Sequence, residues 1–194
     1  WDQNNLHNEL AAARSTMTVD GKQWGVPTGY YQWGFYYRKD IFAKYGLGEP
    51  RSMADLMNIF ETLKKNGVTP IAIGTKYLWT AAGWFDFLNL RINGYDFHMA
   101  LMDGEVSYED QRLDRVFDVW GEIAKSGYYI DNHASYSWQE GMAPMINGDA
   151  AMYLLGNFII PDLMRAGLEG KIGYFQFPVI DGSVRTYEEA PTDS

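Results

Sequence analysis

Apolar residues recur with helical spacing in several parts of the chain. The clearest case is residues 52–67, where the four apolar residues Leu56, Ile59, Phe60 and Leu63 are placed to share one face of a helix. Ser52 precedes this stripe and Asp55 stands three residues later, which is an acidic version of the capping box that opens many helices. Gly67 follows two lysines and is expected to end the helix.

The same criterion predicts further helices over residues 4–15, 41–45, 80–93, 109–126, 138–147 and 157–166. The segment 80–93 is apolar on more faces than a surface helix needs, so much of it is expected to be buried. Either Asn157 or Pro161 is expected to begin the last of these helices.

Runs of branched and aromatic residues predict strands between the helices. They lie within residues 25–40, 71–73, 150–155 and 172–177. A short hairpin is predicted for residues 17–24, because Asp20-Gly21 is a typical two-residue turn. Strands and helices follow one another in mixed order, which indicates α/β layers around a sheet.

The longest of these runs, GVPTGYYQWGFYYRKD, is rich in aromatic residues. Strand alternation divides its side chains between two faces, with Tyr31, Trp33 and Phe35 on one and Tyr30, Gln32 and Tyr36 on the other. Rings beside hydrogen-bonding groups suit a sugar, whose C–H faces stack on rings while its hydroxyls bond to polar groups. The alternative is a strand buried on both faces, and the run taken by itself favours that alternative, because aromatic strands are usually core.

Charge and composition exclude several classes of function. The 194 residues carry a formal charge of −9, which argues against a nucleic-acid partner, since phosphates require a basic surface. The chain has no cysteine, so disulfides, cysteine nucleophiles and thiolate metal sites are excluded. His7, His98 and His133 lack metal-ligand spacing, and we expect neither a metal nor a cofactor. Neither a phosphate-binding G-x-x-x-x-G-K-[ST] loop nor a G-x-S-x-G elbow is present.

Several motifs together resemble one protein family. They are the aromatic run followed by IFAKYGL, then PRSMADL, KKNGVTPIAI, WFDFLNLRINGYDFH, INGDAAMYLLGNF and IGYFQFPVIDG. The chain that carries them is similar to the extracellular solute-binding proteins (family 1) of bacterial ABC sugar importers. The resemblance covers nearly all of the chain.

The resemblance implies a fold, a function and a location. The fold would be a type II periplasmic-binding-protein-like lobe, with a mixed sheet flanked by helices. The function would be non-catalytic capture of a mono- or oligosaccharide, with delivery to permease subunits by hinge closure. The protein would be periplasmic or extracellular, and held at the membrane only by the permease or by a lipid anchor outside this chain.

The resemblance also implies how the chain is organised. Residues 1–194 would form mostly one lobe of a two-lobe protein, with hinge segments near residues 25–36 and 184–194. The N-terminal lobe and the C-terminal helices would be absent from this chain.

The first candidate sugar-binding residues are aromatic. Tyr77, Trp79 and Trp84 lie in TKYLWTAAGWFDF, a predicted loop between a strand and a helix, where α/β sheets bind ligands. The resemblance implies that Trp79 is the main platform for a sugar ring. Tyr31 and Trp33 in the aromatic run are further candidates. The alternative for Trp84 is a core position, since it begins the apolar helix.

Three further residues complete the candidates, namely Asp86, Asn157 and Phe158. Asp86 could accept two sugar hydroxyls, or instead cap a helix or pair with Arg91. For Arg91 the structural role is favoured. Asn157 and Phe158 follow the predicted strand 150–155, at a turn that the resemblance places on the ligand cleft. Asn157 could equally be a helix cap.

Two other functions compete with sugar capture. A glycoside hydrolase or lyase would need two carboxylates converging in a cleft, and no such pair stands out in the sequence. An interaction domain with an aromatic core would bury both Tyr77 and Trp79. The exposure of these two side chains therefore discriminates between a sugar platform and a plain core.

Overall fold

The computed structural model describes residues 15–27, 29–188 and 192–193. The helices in this part of the chain are α1 (Lys39–Lys44), α2 (Met53–Lys65), α3 (Trp79–Ile92), α4 (Tyr95–Met102), α5 (Asp114–Lys125), α6 (Ala143–Asn147) and α7 (Ile160–Arg165). The strands are β1 (Thr18–Val19), β2 (Lys22–Gln23), β3 (Gly29–Tyr30), β4 (Trp33–Arg38), β5 (Thr69–Ile71), β6 (Ala150–Gly156), β7 (Ile172–Phe175) and β8 (Thr192–Asp193).

The central sheet is mixed and has the strand order β5-β6-β4-β7. Strand β5 runs parallel to β6, whereas β4 runs antiparallel to both β6 and β7. The carboxyl ends of β5, β6 and β7 therefore meet the amino end of β4 at one edge of the sheet. We call this edge the carboxyl edge.

Helices cover both faces of this sheet. On one face Phe35 of β4 lies edge-on to Trp84 of α3, with ring centroids 5.5 Å apart. On the other face Arg38 donates a hydrogen bond of 2.7 Å to the carbonyl of Met145 in α6. The predicted fold class, a mixed sheet flanked by helices, is confirmed.

Aromatic side chains of β4 form much of the core. All six residues of β4 are buried, on both faces of the strand. Phe35 stacks on Phe175 with a centroid separation of 5.0 Å, and Phe87 stacks on Phe177 at 5.2 Å. For residues 33–38 the buried-strand alternative is therefore correct, while Tyr31 and Gln32 precede the strand and keep contact with solvent.

Local sequence signals located several elements well. Ser52 caps α2, its hydroxyl accepting from the Asp55 N–H while the Asp55 carboxylate accepts from the Ser52 N–H. Asp20 and Gly21 form the turn between β1 and β2, both with positive φ. The predicted helix over residues 4–15 lies outside the described residues, apart from Ser15 in a 3₁₀ turn.

Three predicted helices are shorter than expected. Residues 109–126, 138–147 and 157–166 begin in loops or 3₁₀ turns, and only their later parts are α-helical. Helix α4 was not predicted. It follows α3 directly, with Gly94 at φ +82° between them.

The segments predicted as hinges lie partly within the described residues. Strand β3 pairs antiparallel with β8, Gly29 opposite Asp193 and Tyr30 opposite Thr192. This two-stranded ribbon is separate from the central sheet. Within the described residues, no helix combines the length and the apolar character that a membrane crossing requires.

Candidate functional site

Five aromatic side chains meet at the carboxyl edge of the sheet. We call them the ring cluster: Tyr31, Trp33, Trp79, Trp138 and Phe158. They come from four separate segments, which are the entry to β4, the start of α3, a loop before α6 and the turn after β6. The register of β4 against β6 brings these segments together, because Trp33 lies opposite Gly156.

Phe158 is the centre of the ring cluster. Its centroid lies 5.1 Å from that of Tyr31, 5.2 Å from that of Trp138 and 6.0 Å from that of Trp79. Edge-to-face and tilted arrangements of this kind are the favourable ones for aromatic pairs. The rings therefore hold one another in place and leave part of their surface open, since Tyr31, Trp138 and Phe158 are half-buried.

Two glycines make room for the ring cluster. A Cβ atom on Gly156 would lie 2.3 Å from Cε1 of Phe158 and 2.9 Å from Cδ2 of Tyr31. A Cβ atom on Gly83 would lie 2.4 Å from Cζ3 of Trp33. A larger residue at either position would push a ring out of the cluster.

The loop between β5 and α3 is fixed by hydrogen bonds to its Gly74 backbone. The hydroxyl of Tyr153, in the buried strand β6, accepts a 2.8 Å hydrogen bond from the Gly74 N–H. Thr80 donates a 2.6 Å hydrogen bond from its hydroxyl to the Gly74 carbonyl. Burial raises the pKa of Tyr153, so its phenol stays neutral and keeps this role across the physiological range.

The tip of this loop presents its side chains to solvent. The exposed fraction is 63% for Tyr77 and 37% for Trp79. Between them Leu78 has φ +65°, an unusual conformation for a residue with a side chain, and it is exposed as well. The alternative in which both Tyr77 and Trp79 are buried in a core is therefore wrong.

Four of the predicted site residues come together in the ring cluster. Tyr31, Trp79 and Phe158 share its open surface, whereas Trp33 is 5% exposed and lies beneath Trp79. Trp84 does not join them. It is fully buried against Phe35, Phe177 and Tyr129, so the core alternative is correct for Trp84.

Asp86 lies apart from the ring cluster. It is two helical turns beyond Trp79 on α3, about 10 Å along the axis. Its carboxylate is close enough to His98 to raise the pKa of that imidazole, although burial has the larger effect and lowers it. Asp86 therefore faces α4.

Arg91 has the structural role that the sequence favoured. Its guanidinium is buried, donates to the Phe177 carbonyl at 2.9 and 3.1 Å, and pairs with Glu188 rather than with Asp86. These bonds tie α3 to the segment that follows β7.

Asn157 stands exposed at the carboxyl end of β6. Its N–H donates a 3.0 Å hydrogen bond to the Gln32 carbonyl, which joins the turn after β6 to the entry of β4. Gly156 occupies the cap position of the following 3₁₀ turn, and no side chain bonds there. The cap alternative for Asn157 is therefore wrong, and Asn157 is an exposed residue next to Phe158 in the chain.

Trp138 belongs to the ring cluster but was not among the predicted residues. Its carbonyl accepts a 3.3 Å hydrogen bond from the Tyr153 hydroxyl, and the neighbouring Ser137 carbonyl lies against Gly74. Sequence spacing gave no signal for this approach, because residues 74 and 138 belong to different loops. The one sequence signal for Trp138 is that a tryptophan stands at the start of a predicted helix, directly after a loop.

A cavity of about 410 Å³ opens on the other side of the first turn of α3. Its apolar walls include Leu78, Ala81 and Trp120, and its polar groups come from Thr75 and from residues 131–133. Within the described residues, no group of three metal-binding side chains occurs.

Comparison with known proteins identifies what this chain is similar to. Residues 2–192 match the family described as bacterial extracellular solute-binding protein. An uncharacterised ABC transporter extracellular-binding protein of Pyrococcus horikoshii is 28% identical over 186 residues, which are 94% of this chain and 42% of that protein. A probable sugar-binding periplasmic protein of Mesorhizobium japonicum is 26% identical over 190 residues, which are 95% of this chain and 44% of that protein.

Solved structures of solute-binding proteins superpose on this chain as well. The bacterial solute receptor AcbH, described as having an exclusive preference for β-D-galactopyranose, superposes with a TM-score of 0.82 at 31% identity. That match covers 97% of this chain and 49% of AcbH. A chitin oligosaccharide binding protein superposes with a TM-score of 0.81 at 28% identity, covering 91% of this chain and 46% of that protein. This chain thus spans about half the length of the proteins it matches.

Proposed function

This chain belongs to the family of bacterial extracellular solute-binding proteins, and we propose that it forms most of one lobe of a receptor that captures a sugar for an ABC importer. The relatives are named as extracellular or periplasmic binding proteins, which supports a location outside the cytoplasmic membrane. The partners would be a carbohydrate ligand and the permease subunits of the importer.

One observation carries the proposal. Tyr77 and Trp79 are exposed on the loop that leaves the carboxyl edge, and Trp79 lies against the half-buried ring of Phe158, which in turn contacts Tyr31. Ligands of open α/β sheets bind beyond the carboxyl ends of the strands. A pyranose stacks its C–H face on an exposed ring, and the Asn157 amide beside Phe158 offers hydrogen bonds to its hydroxyls. Trp84 and Asp86 are left out of this proposed ligand set.

Hinge closure is the proposed mechanism. The pairing of β3 with β8 places residues 29–30 and 192–193 side by side, away from the central sheet. Two adjacent connecting strands are a suitable pivot between lobes, since they absorb a rotation with little change in either core. A ligand that contacts both lobes favours the closed state, and that state would be the one that the permease recognises.

A catalytic role has less support. The family and the structural neighbours are binding proteins. A hydrolase would place two carboxylates around the scissile bond. In the cavity beside the ring cluster, Asp131 is the only acidic residue among the described lining residues.

Calorimetry on the full-length protein tests the proposal. Galactose, raffinose, N-acetylglucosamine and chitotriose are titrated separately, and each is recovered afterwards for analysis. We expect at least one to bind with a dissociation constant in the micromolar range or tighter and to be recovered unchanged. Failure of every sugar to bind would overturn the proposal, and release of shorter products would indicate an enzyme.

A further inference from the structure

We propose that Arg91 and Glu188 are positioning residues for sugar capture, because together with Tyr174 they fix both predicted hinge segments to this lobe. We call these three side chains the hinge anchor. The inference rests on the proposed function above. It concerns the closing movement of the receptor rather than contact with the sugar.

Arg91 connects α3 with the second hinge segment, residues 184–194. Its Nη1 donates a 2.5 Å hydrogen bond to the Tyr187 carbonyl, and its Nη2 pairs with the Glu188 carboxylate. Trp79 begins the same helix, about 18 Å away along the axis. One rigid helix therefore carries the proposed sugar platform at its start and holds the hinge segment near its end.

The second hinge segment is packed loosely against the sheet. A cavity of about 720 Å³ is lined by Thr186 and Glu188 of this segment, and by residues 174–179 of β7 and the chain that follows it. Tyr187 stacks on Tyr95 of α4 with ring centroids 4.8 Å apart. Since the cavity reduces direct packing, the polar bonds to Arg91 contribute much of the attachment of this segment to the lobe.

Glu188 depends on Arg91 to compensate its charge. One carboxylate oxygen pairs with the guanidinium, and the other is buried without a hydrogen-bond partner among the described residues. Burial raises the pKa of Glu188, while the Arg91 charge opposes that rise. A buried charge that loses its partner is strongly destabilising. Without the guanidinium, residues 187–188 are therefore expected to move away from α3 towards water.

Tyr174 extends the hinge anchor to the first hinge segment, residues 25–36. Its hydroxyl donates a 3.1 Å hydrogen bond to the Trp33 carbonyl, and its ring centroid lies 5.4 Å from that of Tyr36. Burial raises the pKa of Tyr174 to about 12, the Glu188 charge adds to the rise and the Arg91 charge opposes it. These charges act on Tyr174 because the three side chains lie close together, so both hinge segments are held at one place.

A fixed origin of the hinge favours a single closed arrangement. Strand β3 pairs with β8, so the two hinge segments leave the lobe as one ribbon. With its origin fixed, the ribbon presents the opposite lobe to a bound sugar at a defined angle. A loosened origin spreads the lobes over many angles, and only some of them allow contact with both lobes. The apparent affinity falls by the fraction of receptors that are competent to close.

Scattering and calorimetry on the full-length protein test the inference. The probe is whichever of galactose, raffinose, N-acetylglucosamine and chitotriose binds the parent protein most tightly. Small-angle X-ray scattering measures the decrease in radius of gyration that the sugar causes. In Glu188→Gln and in Arg91→Lys, we expect this decrease to be less than about half that of the parent, and the affinity to be about tenfold lower.

Leu63→Ala separates positioning from a general loss of stability. Leu63 is fully buried in α2, which packs beside β5, at the opposite side of the sheet from β7. All variants are compared at a temperature at which they are folded. Leu63→Ala is expected to lower the melting temperature while keeping the closure and the affinity of the parent.

Two results would overturn the inference and leave the proposed function standing. One is parental closure and affinity in both Glu188→Gln and Arg91→Lys. The other is an equal loss of closure and affinity in Leu63→Ala. Failure of the parent protein to bind any of the four sugars would overturn the proposed function, and the inference with it.

Discussion

Trp79 stands edge-on to Trp33, with ring centroids 5.8 Å apart and an angle of 82° between the planes. Trp33 is almost fully buried and packs against Gly83 in the second turn of α3. The exposed indole therefore has a rigid support, and its orientation is fixed before a ligand arrives. A side chain that is already ordered loses little entropy on binding.

Trp79→Ala is expected to weaken sugar binding. Without the Trp79 indole, the sugar no longer buries a large apolar surface on binding. The loss of that burial is expected to weaken the binding free energy by about 1.5–3 kcal/mol, or roughly ten- to a hundredfold in affinity. Calorimetry on the full-length protein measures the change. Tyr108→Ala is the matched control, because Tyr108 is an exposed ring that lies against Phe85 rather than in the ring cluster. Equal losses in the two variants would contradict the role of Trp79.

Gly156→Ala is expected to disturb the ring cluster while the chain still folds. The added Cβ lies 2.3 Å from Phe158, whose half-buried ring is able to turn outwards. Overpacking of this kind costs about 1–3 kcal/mol of stability. We expect a lower melting temperature together with weaker sugar binding.

Gly48→Ala serves as the control for that substitution. A Cβ atom on Gly48 meets nothing within 4 Å. Its melting temperature and sugar affinity are expected to equal those of the parent protein. If Gly156→Ala behaved like Gly48→Ala in both measurements, the packing account of the ring cluster would be wrong.

Arg91→Lys is expected to destabilise the protein although the charge is kept. The guanidinium bonds the Phe177 carbonyl through Nε and Nη2 and also pairs with Glu188, a geometry that an ammonium cannot reproduce. The loss of charged hydrogen bonds in a buried site is worth about 2–3 kcal/mol. Urea denaturation measures it, with Arg165→Lys on the exposed ion pair with Asp162 as the control. That control is expected to change stability by less than about 0.5 kcal/mol.

Stability is expected to fall above about pH 10. Burial raises the pKa of Tyr37 and of Tyr174 to about 12, with further contributions from Glu49 and Glu188 respectively. Tyrosines of the unfolded chain ionise near pH 10, so unfolding releases protons between pH 10 and 12. The stabilisation by these neutral phenols is thus complete below pH 10 and is lost as the pH rises towards 12.

Urea midpoints measured between pH 8 and 12 check this dependence. The double variant Tyr37→Phe/Tyr174→Phe has no phenol to ionise at these positions. Its midpoint is expected to be lower at pH 8, since hydrogen bonds to Glu49 and to the Trp33 carbonyl are gone. It should also fall less steeply above pH 10. An unchanged slope would mean that other groups cause the alkaline loss.

Local signals in the sequence were sufficient for the elements that depend on neighbouring residues. The capping box of Ser52 and Asp55 and the Asp20-Gly21 turn are made by residues a few positions apart, so their motifs determined them. Helix α4 was missed because Gly94, which ends α3, gave no sign that a second helix begins at the next residue.

The ring cluster depends on contacts that no local pattern encodes. Tyr31 meets Phe158 because β4 pairs with β6 in one particular register, and Trp138 joins through the hydroxyl of Tyr153. The aromatic character of Trp84 and Trp79 was equally visible in the sequence. Their opposite environments follow from the five-residue spacing on α3, which turns Trp84 to the sheet and leaves Trp79 on the rim.

In the sheet formed by strands β4 to β7, the residues that stabilise the core are different from the residues that form the candidate site. The stacked pairs Phe35–Phe175 and Phe87–Phe177 pack in the core of the sheet. The candidate site instead comes from the carboxyl edge, where residues 75–79, 131–138 and 157–158 lie. Under the proposed function, exchanging these loop residues is expected to change which sugar binds while the packed sheet stays intact, and a variant library confined to them would test that expectation.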